Sequence, residues 1–281
     1  MTIAVTGATG ALGSLVLDAL LRTEDPASLV AVVRNESKAA SLAARGVQIR
    51  VADYTDPTGL QAALEGVDKL LLISSSEVGQ RLAQHSNVIE AAKSAGVSHV
   101  VYTSLVRATT SEHVLAPEHK ATEELLAASG LTTTILRNNW YHENYLANLA
   151  PAKESGILLG AAGDGKVAGA ARRDYADAAA VVLTTEGHAG KIYELTGDTA
   201  YDYTELATAL GEAVGREVTY QPVSTDDVAA ALVSAGLDAG TAGFVATLDA
   251  NTARGDLAEV DPTLSELIGR PTTPLVESLR A

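Results

Sequence analysis

Residues 3–13 read Ile3-Ala4-Val5-Thr6-Gly7-Ala8-Thr9-Gly10-Ala11-Leu12-Gly13. The first four are apolar or β-branched, the composition of a short buried strand. Beyond Gly13, the residues Leu15, Val16, Ala19 and Leu20 recur at helical spacing as far as about Arg22. Strand, glycine turn and helix in that order form the setting of a dinucleotide site. Gly7 permits the sharp turn off the strand, Gly10 lets a pyrophosphate lie against the backbone, and Gly13 lets the helix pack close to the sheet. The helix start adds unpaired N–H groups and the positive end of its dipole. A tight strand-to-helix turn can also use glycines for packing alone, but three at a spacing of three in this setting favour a cofactor. The spacing is Gly-x-x-Gly-x-x-Gly, looser than the Gly-x-Gly-x-x-Gly of many dehydrogenases.

The rhythm continues outward from this turn. Asp25-Pro26 breaks the pattern, and Leu29 to Val33 is a second apolar strand. Ser37 is placed to cap a helix through Ala44, with Gly46 as its stop. Strands follow at Val47–Val51, Lys69–Ile73, His99–Thr103 and Leu131–Leu136. Helices lie between them, from Pro57, from about Gly79 to Ala95, and from Pro117 to Ser129. Six strands alternating with helices predict an α/β fold with a doubly wound parallel sheet of the Rossmann type. From about residue 150 the glycines Gly156, Gly160, Gly163, Gly165 and Gly169 make a loop-rich passage. Helices are predicted at Asp174–Leu183, Tyr203–Val214, Thr225–Ala235 and Pro262–Ile268, and strands at Ile192–Leu195 and Glu217–Tyr220. The expected division is a nucleotide-binding domain over residues 1–150. A smaller, mostly helical C-terminal domain over residues 151–281 would form the substrate cleft and is free to return strands to the main sheet.

Composition narrows the function. The chain has 281 residues, 47% of them hydrophobic and 20% charged, enough for a sizeable core. Its net charge of −15 repels phosphate backbones and anionic lipid, so neither nucleic acid nor a membrane is an expected partner. No signal peptide and no apolar run of membrane-spanning length is read, and the expected location is the cytoplasm. With no cysteine, thiolate catalysis and cysteine-ligated metals are excluded, and no metal site is expected.

Ligands of such sheets bind beyond the carboxyl ends of the strands. At the second exit, ~20 residues past the glycines, an NAD site usually places an acid for the ribose hydroxyls. This chain has Arg34 there, whose guanidinium can fork onto a 2′-phosphate. NADPH is therefore expected over NADH. Asp53 at the third exit is placed either to meet the adenine or to cap the next turn. Ser74, Ser75 and Ser76 at the fourth exit offer hydroxyls to a ribose or nicotinamide, or cap a helix. Trp140, Tyr141, His142 and Tyr145 form the densest cluster of rings, suited to a flat acceptor or to covering the sheet end. Asn138 and Asn139 could bond an acceptor carbonyl or the nicotinamide amide. His119, near the start of its helix, titrates near neutrality and could donate a proton. His119 and Tyr141 are the candidate catalytic groups.

Six strings together identify a family. They are Gly7 to Gly13, Val33-Arg34-Asn35, Leu72 to Arg81, Tyr102 to Leu105, Leu136 to Tyr141, and Gly160 to Lys166. The chain resembles the NmrA-like atypical short-chain dehydrogenases over nearly its whole length. The resemblance implies NADPH in a cleft and two-electron reduction of a quinone, a small-molecule partner. It implies cofactor roles for Gly7, Ala8, Thr9, Gly10, Ala11, Leu12, Arg34, Ser74, Ser75 and Ser76, and for Asn138, Asn139, Trp140, Tyr141, His142 and Glu143. Arg172 joins them through the loop from Gly163. The acceptor wall would be Asn139, Trp140, Tyr141 and Tyr145. Short-chain dehydrogenases commonly carry Tyr-x-x-x-Lys, which is absent after Thr103, and His119 stands where several relatives keep a lysine. Quinone reduction needs a placed acid less than ketone reduction does, because the reduced ring spreads its charge. A non-catalytic NADP(H) sensor with a protein partner, a reductase of imines or enones, and a homodimer stay open.

Overall fold

The computed structural model describes residues 1–280; Ala281, the last residue of the expected second domain, lies outside them. The chain forms two compact units. The first comprises residues 1–109, 115–138 and 172–195, and the second residues 110–114, 139–171 and 196–281.

The first unit is built on a parallel sheet. Its strands are β1 (Ile3–Val5), β2 (Leu29–Val33), β3 (Gln48–Val51), β4 (Lys69–Leu72), β5 (His99–Leu105) and β6 (Thr132–Asn138). A seventh strand, Ile192–Leu195, pairs beside β6 and returns the chain to this sheet late in the sequence. The order is β3-β2-β1-β4-β5-β6 with the late strand at the edge. In register, Val5 stands opposite Ala31 on one side and Leu71 on the other. The strand order reverses between β1 and β4, which is where ligands of open α/β sheets bind. β1, β2 and β5 are buried along their whole length, as strands covered on both faces must be. Leu70, Leu71 and Leu72 are fully buried in β4, each stabilising by about 1.5–3 kcal/mol. β3 is the opposite edge. Its Arg50 donates to the carbonyls of Ala63 and Glu65, which end the helix Pro57–Ala63.

Local details differ from the sequence reading where capping chemistry competes. Asn35, not Ser37, begins the turn after β2, because its side chain accepts from Ser37 N–H at 2.9 Å. A 3₁₀ turn, Glu36–Ala39, then precedes the short helix Ala40–Ala44.

The second unit is mostly helical. Here the passage read as loop contains β7 (Ile157–Gly160), which pairs in parallel with a strand at Thr219–Pro222. The helix Tyr203–Val214 starts with a capping box of Asp202 and Glu205, and Thr225–Ser234 with one of Ser224 and Asp227. The helix Ala239–Ala253 was not expected. Its sequence, rich in Ala, Gly and Thr, carries no single apolar stripe, and Asp238 caps it through Thr241 N–H. Among the described residues no helix is long and apolar enough to cross a membrane.

Candidate functional site

The glycine turn follows β1 directly. Gly7 has φ +57, a conformation that L side chains rarely adopt. Gly10 N–H closes the turn onto Gly7 O at 2.8 Å. A Cβ on Gly10 would stand 3.0 Å from that same carbonyl, and one on Gly13 would stand 2.8 Å from Ala8 Cα. Gly13 is therefore a packing glycine, and Gly7 is a turn glycine. Gly7, Thr9, Gly10 and Ala11 are exposed, whereas Ala8 and Leu12 are buried and can offer a ligand only their backbone. The helix Ala11–Leu20 has no side-chain cap and no acid in its first turn. Its positive end is left for an external anion.

The strand order sets the other exits beside this turn. Arg34, past β2, holds Glu77 at 3.1 Å, with the two side chains 69% and 47% exposed. So exposed a pair is worth about 0–1 kcal/mol, and a phosphate can displace the carboxylate. Asp53 accepts from Thr55 N–H at 2.8 Å and Thr55 Oγ1 at 2.6 Å. These bonds hold its carboxyl below the usual carboxylate range, and they are those of the turn cap that the sequence allowed. Ser74 and Ser75 are half-buried and Ser76 is exposed.

The loop that bears the serines is clamped by its backbone. Ser74 N–H donates to Thr103 Oγ1 at 2.9 Å, and Ser75 N–H donates to His85 Nε2 at 2.9 Å. Arg81 Nε donates to Ser75 O at 2.8 Å. Because His85 Nε2 accepts, its proton sits on Nδ1, facing Thr122 Oγ1 at 2.9 Å, and that hydroxyl donates to Glu118 O. Burial, with Arg81 nearby, pushes the His85 pKa down to about 3. On the other side Tyr54 Oη lies 2.6 Å from Thr6 Oγ1 and 2.8 Å from Ile73 O, bracing β1 against β4. Tyr54, Arg81 and His85 were missed from sequence. Each acts through a contact made 6 to 48 residues away, and the helical spacing of Arg81 and His85 was the only local signal.

His119 is 5% exposed, and its Nδ1 shares a hydrogen bond with Tyr102 Oη at 2.8 Å. The structure thus turns the expected proton donor toward an interior tyrosine. Arg137, at the end of β6, forks onto Glu123 at 2.9 and 2.6 Å and reaches Glu194 at 2.8 Å. Both carboxylates hold it charged, so it belongs to the frame of the sheet. Asn138 closes β6, 4% exposed, and its carbonyl accepts from Val106 N–H.

The remaining candidates, apart from Arg172, fall in the second unit. Asn139 is 4% exposed; its Nδ2 donates to Leu257 O at 3.1 Å and its Oδ1 accepts from Trp140 N–H at 2.7 Å. That amide holds the chain's own backbone as well as standing among the expected ligand groups. His142 is buried, its Nδ1 3.0 Å from Ser278 Oγ. Tyr141 and Glu143 are half-buried, and Tyr141 bridges to Ala170. Arg172 opens the helix Arg172–Thr184 of the first unit. Trp140 and Tyr145 line a cavity of about 140 Å³ whose other walls include Leu158, Tyr203, Leu232 and Leu248. Asp249 also lines it, accepting from Tyr203 Oη at 2.7 Å and Ala161 N–H at 2.8 Å. Burial raises the Asp249 pKa. Asn139 and Tyr141 are not among its walls. Among the described residues no cluster of metal-binding side chains occurs.

These residues fit NADPH. The open glycine turn would hold the pyrophosphate, the uncapped helix start would stabilise its charge, and Arg34 would take the 2′-phosphate. Comparison with known proteins places the chain among its relatives. The chain is 54% identical over 277 residues to quinone oxidoreductase 2 of Escherichia coli strain K12, covering 99% of this chain and 97% of that one. The crystal structure of the NADPH-dependent quinone oxidoreductase of Escherichia coli complexed with NADPH superposes with a TM-score of 0.95, at 54% identity, over 99% and 98% of the two chains. The Citrobacter sp. triphenylmethane reductase complexed with NADP(H) gives a TM-score of 0.95 at 39% identity over 99% of each chain. A model of the NmrA-like family matches residues 1–266. The chain belongs to the NmrA-like family.

Proposed function

We propose that the protein is an NADPH-dependent oxidoreductase that transfers hydride directly to a quinone, without flavin. The observation that carries this reading is the open, uncapped glycine turn beside Arg34, in a chain 54% identical along its length to a quinone oxidoreductase. NADPH, when bound, supplies the hydride. The turn and the helix start bind its pyrophosphate, and Arg34 leaves Glu77 for the 2′-phosphate. His85, Arg81 and Thr103 hold the Ser74–Ser75 backbone, so the serine hydroxyls meet the nucleotide without reorganising. Asn138 to Glu143 flank the reacting ring, with Trp140 and Tyr145 as the aromatic wall for the acceptor. Catalysis rests on orientation, which can contribute about 7–11 kcal/mol when reacting atoms are held in line. The reduced ring takes its proton from solvent, consistent with the interior placement of His119. The enzyme works in the cytoplasm, where its nicotinamide substrate is kept.

The test follows NADPH oxidation by absorbance with p-benzoquinone and with a simple ketone, against NADH and protein-free controls. Turnover with the quinone, with NADPH preferred, is expected. Arg34→Ala is expected to lower the preference for NADPH over NADH about tenfold, equivalent to ~1.4 kcal/mol. Tight NADPH binding without quinone turnover would favour a redox sensor, and an unchanged preference in Arg34→Ala would remove the 2′-phosphate role.

A further inference from the structure

The cavity in the second unit has a size with chemical meaning. Its volume is about 140 Å³. An enclosed protein cavity of ~150 Å³ lined by Leu, Ile and Phe stays dry and binds benzene. Here Leu158, Leu206, Leu232 and Leu248 share the wall with the rings of Trp140 and Tyr145, and Asn144, Asn148 and Asp249 add polar groups to it. Leu158, Leu206 and Tyr145 are 3%, 0% and 7% exposed and form the buried side of the wall, whereas Leu232, Val245 and Leu248 on the other side are half-buried. Tyr145 is wedged edge-on between Tyr201 and Tyr203 at centroid distances of 6.3 and 6.2 Å.

Asp249 ties one side of the wall together. One carboxyl oxygen accepts from Tyr203 Oη at 2.7 Å, and the other from Ala161 N–H at 2.8 Å, just past β7. The carboxyl thereby ties the helix Ala239–Ala253 to the start of the helix Tyr203–Val214 and to the end of β7. The packing behind it is equally tight, since a Cβ on Gly160 would stand 2.9 Å from the Tyr203 ring. Size selection needs walls of this kind, because a wall that relaxes accepts larger ligands at small cost.

We propose that this cavity is a ring-sized acceptor subsite. It takes one six-membered ring and therefore selects monocyclic quinones over fused two- and three-ring quinones. The inference rests on the reading of the chain as a quinone reductase and names the acceptor class within it. A featureless apolar pocket would show the opposite order, because a fused second ring adds apolar surface and strengthens binding. A preference for the smaller ring is therefore diagnostic of the walls. Asp249 acts through Tyr203 and Ala161 and is a positioning residue.

The chain offers its own reporter. Trp140 is its one tryptophan and lines the cavity, and no cysteine is present to add to a quinone. p-Benzoquinone, naphthoquinone and anthraquinone sulfonate would be titrated against the full chain while the static quenching of Trp140 is followed, with lifetimes removing collisional quenching. Wild type should bind p-benzoquinone at least about tenfold more tightly than naphthoquinone, within the range that one added group commands in a close-fitting pocket. Val245→Phe, which fills the cavity, should abolish quenching by p-benzoquinone and raise its KM about tenfold with the KM for NADPH unchanged. Leu232→Ala, which enlarges it, should bring naphthoquinone level with or ahead of p-benzoquinone. That gain of binding does not arise from misfolding. Equal affinities in wild type, or a Val245→Phe variant that binds and reduces both quinones normally, would overturn the subsite and leave the quinone reading intact. Absence of any NADPH-dependent quinone reduction in wild type would overturn the quinone reading, and the ring-size order at Trp140 would still decide whether the cavity selects by size.

Discussion

The nucleotide side and the acceptor side of this protein are built in opposite ways. In the first unit, the turn, Arg34, Asp53 and Ser74 to Ser76 each sit within a few residues of the end of a strand. The sheet order alone sets them side by side. In the second unit, the cavity wall is drawn from residues between 140 and 148, 158 and 159, 203 and 206, 228 and 232, and 245 and 257. The first is a backbone site, specified by where glycines and strand ends fall. The second is a side-chain site, specified by how distant segments pack. The first depends above all on its glycines, and the second on the side chains that fill and bound its cavity.

Gly13→Ala tests the first half of that contrast and carries the largest expected effect. The added Cβ meets backbone, at 2.8 Å from Ala8 Cα, and no rotamer can relieve it. Overpacking of this kind costs about 1–3 kcal/mol in stability, measurable by urea unfolding. NADPH affinity should fall more than about 100-fold by calorimetry, equivalent to ~2.8 kcal/mol. A variant that binds NADPH as wild type does would break the idea of a backbone-defined site.

His85→Gln sharpens the comparison, because His85 is a side chain on which the backbone site depends. Gln can still accept from Ser75 N–H but cannot titrate. The native pKa of His85, about 3, lies below its ordinary value of 6.5. The unfolded chain therefore binds a proton that the native one refuses, and wild type loses stability as the pH falls from 6.5 toward 3. Over that window the variant should lose up to about 1.4 kcal/mol less per pH unit, read from unfolding free energies across acid pH. Identical slopes would show that the clamp does not hold His85 neutral.

Asp249→Asn probes the acceptor side and should give the smallest change. Burial raises the native pKa of this carboxyl above its ordinary 3.8. Its contribution to stability is present below that value and is lost as the pH rises through the native pKa. The variant, which has no charge to bury, should therefore gain on wild type in thermal stability as the pH rises from acid toward neutral. A difference that does not vary with pH would mean that the carboxyl titrates normally.

The contrast also explains which features were legible before any fold was known. The turn from Gly7 to Gly13 was readable because strand, glycines and helix are contiguous. Arg34 was readable because a parallel strand ends where its apolar run ends. Asn139 was readable as a polar group past a strand end, but not its bond to Leu257 O, which lies 118 residues away. His119 showed a titratable ring but not the Tyr102 hydroxyl that meets it inside the first unit. The helix Ala239–Ala253 left no periodic trace, because small residues pack on any face. β7 was hidden among glycines whose roles are set by Tyr203 and Arg216 packed against them.

By itself, the sequence determined a parallel α/β unit with a nucleotide turn at its start and a cation, not an acid, at the second strand exit. Those features follow from local sterics and from periodicity, which act over a few residues. Only the tertiary structure decided that His85 and Arg81 grip the serine loop, that the Asn139 amide also holds Leu257 O, and that Trp140, Tyr145 and Asp249 line one cavity. These depend on contacts between residues far apart in the chain, whose meeting is set by the packing of whole elements.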